Sequence, residues 1–354
     1  MLFLSEPERK AWQRQLGEIE ASAAEPKAFR PEVRANLMPA FHFFVGTALL
    51  ARNQTGLGRS WLSTGARHED PGLITNAFVN GFLERHHGRL EAPTVCFADA
   101  RPYVHFTTVP QMRTARANLV KQITDSLPAI LHPFRFLDIG CGDGTLTAAV
   151  LNAMRTAGKT GDKIEVLLLD PSVGMLDVAM RTLERECPGV PVRRLQARCE
   201  DAAESISEHY DLALAALSIH HMPLETKLQM LSRLRDRFDH LVLFELDGDH
   251  DAPQLHSPEL ALSLYQTYGR MMHFVSAHEA HPGVTAACID NFWMTEMVSF
   301  LTQERGRRTD YHMLRIQWRA LFDKALGREF SCRADCTAYG DEFMELFTLH
   351  YGRH

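Results

Sequence analysis

The sequence predicts an α/β protein built on a doubly wound, Rossmann-like sheet. The sheet is expected to be mostly parallel with a C-terminal antiparallel hairpin, joined by a helical N-terminal cap and a helical insertion. Three patterns carry this expectation. After Pro133, short and almost wholly apolar runs alternate with segments of helical periodicity, as in a parallel sheet covered on both faces. A glycine-rich bend follows the first of those runs directly. Two β-like segments close the chain, separated by a turn containing Gly340 and Asp341.

The N-terminal region, 1–125, reads as helical. Trp12, Leu16 and Ile19 fall at helical spacing, as do Ile74, Phe78 and Phe82, with Gly, Pro and Asn between segments. It holds no catalytic motif and is expected to be a cap or a dimerisation element. Residues 126–354 form the second domain. Its strands are expected at Phe134–Ile139, Ile164–Asp170, Val192–Ala197, Leu212–Leu217 and Leu241–Leu246. Helices are expected at Leu146–Arg155, Val173–Glu186 and Leu224–Phe238, with right-handed connections. A helical insertion at about 252–310 follows. In it Leu260, Leu264 and Tyr268 mark one helix. Ile289, Phe292, Trp293, Met297, Phe300 and Leu301 mark another, with Glu296 and Glu304 off the apolar stripe. Leu314, Trp318, Leu321, Phe322 and Ala325 mark a third, stopped near Gly327. Glu329–Cys336 and Glu342–Tyr351 are expected to pair as a hairpin on the sheet edge.

With 354 residues the chain has room for two domains or one enlarged domain. A hydrophobic share of 45% and a charged share of 23% exclude a disordered or fibrous chain. The net charge of −6 speaks against a protein that neutralises nucleic-acid phosphates. Seven cysteines, odd in number and unevenly spaced, do not make a disulfide framework, and Cys187, Cys199 and Cys288 are expected as buried thiols. The N-terminus lacks the apolar core of a signal peptide, and the apolar run Phe41–Ala51 is too short to span a bilayer. A soluble cytoplasmic protein is expected.

The chemistry concentrates in Phe136-Leu-Asp-Ile-Gly-Cys-Gly-Asp-Gly-Thr-Leu-Thr147. A buried strand enters Gly140-Cys141-Gly142-Asp143-Gly144 and then a helix, whose first N–H groups face any ligand at the bend. Open parallel sheets bind ligands at the carboxyl ends of their strands, near the reversal of strand order. A phosphate-binding loop would need Gly-Lys-Ser/Thr, and a dinucleotide fingerprint G-x-G-x-x-G; this bend reads G-x-G-x-G without lysine. Asp138, two residues ahead of the first glycine, would repel a pyrophosphate but suits an ammonium or sulfonium. The second strand ends in Asp170, whose two oxygens are able to accept both ribose hydroxyls.

These residues resemble the class I S-adenosylmethionine-dependent methyltransferases over about Phe134–Asp251, and the closing helix and hairpin are similar to that family's last elements. The resemblance implies S-adenosylmethionine as cofactor. It implies that Asp138 and the backbone of Gly140, Cys141 and Gly142 hold the methionine part. Asp170, followed by Pro171, would take the ribose, Met175 would pack on adenine, and Glu200 or Asp201 would meet the adenine amino group. Leu217-Ser218-Ile-His220-His221-Met-Pro223 resembles the end of the fourth strand in the small-molecule branch. The family's Pro-Gly-Gly turn before the fifth strand is replaced by Arg237-Phe-Asp-His240, which puts subfamily placement in doubt. The resemblance does not extend to the first 100 residues or to the stretch 252–285.

The expected activity is methyl transfer to an O or N nucleophile, less readily C, of a small organic acceptor by in-line displacement. His220, His221 or Glu245 would serve as base. Asp247, in the acidic run Phe244–Asp251, and Tyr265 and Trp293 in the insertion are candidate substrate contacts. The acids and histidine of that run could supply metal ligands, and His278 with His281 stand at i, i+3. The reading adopted is pocket lining and surface loop respectively, with no metal. Arg113 is placed either against the cofactor carboxylate or in solvent. A homodimer is possible; nucleic acid and membrane are not expected partners. The alternatives are a methyltransferase acting on protein or RNA, and a non-methylating scaffold that keeps the cofactor.

Overall fold

A computed structural model of the chain describes residues 1–92 and 100–354. They fall into two compact units. One comprises Met1–Cys96, Gly248–Asp310 and Asp341–Met344; the other comprises Phe97–Asp247, Tyr311–Gly340 and Glu345–His354.

The second unit carries a seven-stranded sheet. Its strands are β1 (Phe134–Ile139), β2 (Ile164–Asp170), β3 (Val192–Gln196), β4 (Tyr210–Ala216), β5 (Phe238–Leu246), β6 (Phe330–Gly340) and β7 (Glu345–Arg353). Their order is β3-β2-β1-β4-β5-β7-β6. The first five are parallel, while β7 runs antiparallel between β5 and β6. Helices Thr145–Thr156 and Val173–Glu186 connect successive parallel strands. Chain order reverses between β1 and β4, so the glycine bend stands at the switch point where such sheets take ligands. One core layer joins Leu137, Ile139, Leu169, Ala213, Leu243 and Leu349 to the helix Arg315–Leu326. Burial on both faces explains why β1, β2 and β4 read as mostly apolar runs.

The doubly wound sheet with its closing hairpin is thus the observed architecture, and the differences lie at element ends. The helix expected to reach Phe238 stops at Leu234. A single tight turn, Arg235–Arg237, lets Phe238 begin β5 opposite Tyr210 of β4. The hairpin is displaced toward the C-terminus, and its pairing shifts register at Cys332/Ala334 and Thr337/Tyr339.

The helical unit joins the N-terminal residues to the insertion. The helix Met38–Ala51 is buried nearly all round. Phe43 on that helix packs its ring 5.9 Å from Tyr265 on the helix Pro258–Ala277, and Thr75 Oγ1 donates to the Tyr265 carbonyl at 2.6 Å. The region 1–125 therefore divides. Helices Ala100–Thr108 and Pro110–Ser126 belong to the sheet unit, where Asn118 Nδ2 donates to the Ala338 carbonyl of β6 at 2.8 Å. The helix expected around Ile289–Leu301 opens with a wide π-turn, Ile289–Trp293, and continues as Met294–Thr302. That turn advances the phase of the face, and Glu296 is buried with Tyr268 donating to it at 3.0 Å, not off the stripe in solvent.

Cys187, Cys199 and Cys288 are buried free thiols. Among the described residues no helix is long and apolar enough to cross a membrane.

Candidate active site

The bend after β1 is held by its own backbone. Gly140 N–H donates to the Leu169 carbonyl at 2.7 Å, and Gly142 N–H donates to Asp170 Oδ2 at 3.1 Å. The end of β2 thereby pins the loop that leaves β1. Gly140 and Gly142 have φ of +72° and +54°, in the region that favours glycine. Space demands glycine as well: a Cβ on Gly140 would lie 2.3 Å from Ser218 Cβ, and one on Gly142 would lie 2.7 Å from the Tyr103 hydroxyl.

Asp138 points into this bend from β1 and is 2% exposed. Thr147 Oγ1 donates to it, yet burial pushes its pKa up to about 7, and the nearby Asp170 charge adds to the rise. Asp170 accepts from Ser172 N–H at 2.8 Å as well as from Gly142; burial outweighs both bonds and raises its pKa too. Each oxygen keeps a lone pair for a further donor. Cys141 is buried beside them, its thiol pushed up by burial. Two neighbouring buried carboxylates, both raised by burial and Asp138 further by the charge of Asp170, make a place where a cationic ligand gains. Arg116 stands on the other flank, donating to Thr145 Oγ1 at 2.7 Å and lying 3.9 Å from Asp143.

β4 leaves the sheet through a constrained residue, Leu217, with φ +49° and its N–H donating to the Phe244 carbonyl at 2.8 Å. Ser218 follows, its Oγ buried against Gly140 without a hydrogen-bond partner among the described residues. An orphaned hydroxyl, two acids and a glycine-lined bend fit the donors and the positive charge of an adenosyl sulfonium.

Beyond Ser218, a single helical turn presents His220 and His221. His220 Nδ1 lies 2.9 Å from both oxygens of Glu245, near the end of β5. His312, in the segment before the helix Arg315–Leu326, stacks on His220 with ring centroids 4.0 Å apart and lies 3.5 Å from Glu245 Oε2. Side-chain exposure is 6% for His220, 0% for Glu245 and 4% for His312. Burial holds His220 well below the ordinary histidine range, whereas the two imidazoles hold Glu245 below the ordinary carboxylate range despite its burial. His221 is half-buried, its ring 4.2 Å from that of His220.

The other expected site residues are dispersed. Met175 is buried at the first turn of its helix, where its N–H donates to Ser172 Oγ at 3.3 Å, and Pro171 is exposed beside it. Glu200 is engaged by Arg198 Nε at 2.5 Å, and Asp201 is exposed. Arg113 is exposed on its helix; the arginine that reaches the loop is Arg116, one turn on. Asp247 accepts from the Arg315 N–H at 2.8 Å and so caps the helix Arg315–Leu326. Tyr265 and Trp293 are core residues of the helical unit; Trp293 packs edge-on to Tyr268 at 5.6 Å. Sequence reasoning missed Tyr103, Arg116, Thr147 and His312. Only Thr147 lay within the quoted motif, and no local pattern marks the other three.

Strand order, switch point, glycine bend and paired acids together make a doubly wound sheet with a ligand-sized cradle at its switch point. Residues 137–239 match the family model described as a methyltransferase domain. No curated protein matches the chain. Among solved structures, SCL7 of Oryza sativa is similar over 87% of this chain and 99% of its own, at 13% identity and a TM-score of 0.62, which is a likeness of fold. The pyocyanin biosynthetic protein PhzM is similar at 16% identity and a TM-score of 0.40, over 71% of this chain and 61% of its own. Magnesium protoporphyrin IX methyltransferase of Synechocystis PCC 6803 is similar at 15% identity and a TM-score of 0.40, over 79% of this chain and 98% of its own.

Proposed function

We propose that the protein moves a methyl group from S-adenosylmethionine to an oxygen or nitrogen nucleophile of a small organic molecule by in-line displacement. The observation that carries this reading is the pair Asp138 and Asp170, buried on either side of a bend that only glycine fits. When bound, the cofactor supplies a methyl group already activated by its positive sulfur.

The chain's own residues then have three tasks. Asp138, with Ser218 Oγ and the room the glycines leave at the bend, binds the methionine end. Asp170 takes the ribose with the lone pairs its backbone donors leave open, and Met175 backs the adenine. The end of β4 presents the acceptor, and the buried His220–Glu245–His312 cluster activates it. Net charge −6 agrees with a small acceptor better than with a polyanion.

The test is incubation with methyl-labelled cofactor and a pooled metabolite extract, followed by mass spectrometry. One small molecule gaining the mass of a methylene is the expected result. Label appearing in protein or RNA instead would overturn the small-acceptor reading.

A further inference from the structure

Three metal-binding side chains converge at the ends of β4 and β5. His220 comes from the turn after β4, Glu245 from β5, and His312 from the segment before the helix Arg315–Leu326. One ligand atom from each lies within 4.8 Å of the other two. We propose that His220, Glu245 and His312 bind one divalent transition-metal ion of the zinc type, which holds the acceptor by a hydroxyl oxygen. The acceptor role rests on the methyl-transfer reading; the ion site does not.

Distances come first. Two ligands at about 2.1 Å from one ion stand about 3.0–3.4 Å from each other. His220 Nδ1 is 2.9 Å from Glu245 Oε1, and His312 Nδ1 is 3.5 Å from Glu245 Oε2. Both separations from Glu245 are thus within a few tenths of an ångström of what an ion needs, and the two imidazoles lie within 4.8 Å of each other. The backbone keeps the donors in place: Tyr311 N–H donates to the His220 carbonyl at 2.7 Å, and Lys227 Nζ donates to the Tyr311 carbonyl. The segment bearing His312 is thus tied directly to the turn bearing His220.

Charge comes second. Glu245 is fully buried. A carboxylate taken out of water is costly, and a divalent cation beside it offsets that cost. Donor type comes third. Two imidazoles and one carboxylate suit zinc and its transition-metal neighbours, whereas magnesium and calcium prefer sets made of oxygen alone. Three protein ligands leave a position open, as in catalytic sites. A hydroxyl held there releases its proton to water more readily; the oxygen then forms the new C–O bond as the C–S bond breaks, leaving methyl ether and adenosylhomocysteine.

The test uses the full chain, stripped with a chelator and titrated with Zn2+ by calorimetry and with Co2+ by visible absorption. One equivalent should bind with micromolar affinity or better, with cobalt showing the d–d bands of a low-coordinate site. His312→Gln should weaken binding by at least about tenfold while cofactor affinity stays the same. No stoichiometric binding to the wild type, or equal binding to wild type and His312→Gln, would overturn the site. The wild-type titration decides even where the variant folds poorly. Cofactor binding measured separately tells the two readings apart: metal absent with cofactor bound sinks only the ion, and cofactor absent sinks the methyl-transfer account.

Discussion

The Gly142 N–H donates to the Asp170 carboxylate across 3.1 Å, so the loop that leaves β1 is latched to the last residue of β2. The same carboxylate also takes the Ser172 N–H at 2.8 Å. A residue expected to meet only the ribose therefore shapes the loop as well. Asp170→Ala should weaken S-adenosylmethionine binding and also lower the melting temperature of the ligand-free protein. Two backbone donors lose their acceptor, at about 1–3 kcal/mol each when buried. Calorimetry and thermal melts check both effects; a loss of affinity with an unchanged melt would show that the latch is incidental.

Asp138 makes cofactor affinity depend on pH. Its pKa is held up at about 7 by burial, so it is largely protonated in mildly acid solution. A cationic ligand favours the ionised form. Affinity should therefore rise with pH, by about tenfold per unit below the pKa, and level off above it. Ligand-free stability runs the other way: the raised carboxyl contributes fully below its ordinary value of 3.8, and that contribution is lost as pH rises through about 7. Asp138→Asn should abolish the slope in affinity. Thr147→Val, which removes the donor to Asp138, should move its midpoint to higher pH.

Gly142→Ala should damage the bend in two separable ways. The left-handed backbone costs about 1–2 kcal/mol for a residue with a Cβ. The new Cβ also meets the Tyr103 ring and hydroxyl at 2.7–3.0 Å. Adding Tyr103→Ala should restore part of the lost stability by removing the clash while leaving the strain. Melts of the single and double variants measure the difference, and no recovery would place Tyr103 away from the loop.

In the helical unit, burial raises the pKa of Glu296 well above the ordinary carboxylate range, with Asp310 adding to the rise, which favours the neutral form. Glu296→Gln keeps an acceptor for the Tyr268 hydroxyl and should change stability little. Glu296→Ala should cost about 2–4 kcal/mol, from the lost partner and the cavity together. Denaturant unfolding of the two variants gives the comparison. An equally large loss in the glutamine variant would show that the carboxylate is charged.

What the sequence reveals follows the range of the physics involved. β1 and β2 were legible to the residue, because a strand buried on both faces writes a mostly apolar run, here broken only by Arg135, Asp138, Glu165 and the terminal Asp170. The bend was legible because Asp138, Gly140, Gly142 and Asp170 lie within one short loop and one strand end. Tyr103, Arg116 and His312 were not, since each reaches its partner from a different segment and nothing local marks the pairing. Glu296 was misplaced because helical periodicity assumes a constant turn, and the π-turn at Ile289–Trp293 breaks that constancy. Asp247 carried the right charge for a pocket yet caps a helix, a use that composition does not distinguish.

The most direct measurement is a crystal structure of the protein soaked with S-adenosylmethionine. The account predicts density along Gly140–Gly142, with the ribose hydroxyls at Asp170 and the positive sulfur on the Asp138 side of the bend. A bend left empty at saturating ligand, or the ligand bound away from β1 and β2, would contradict it.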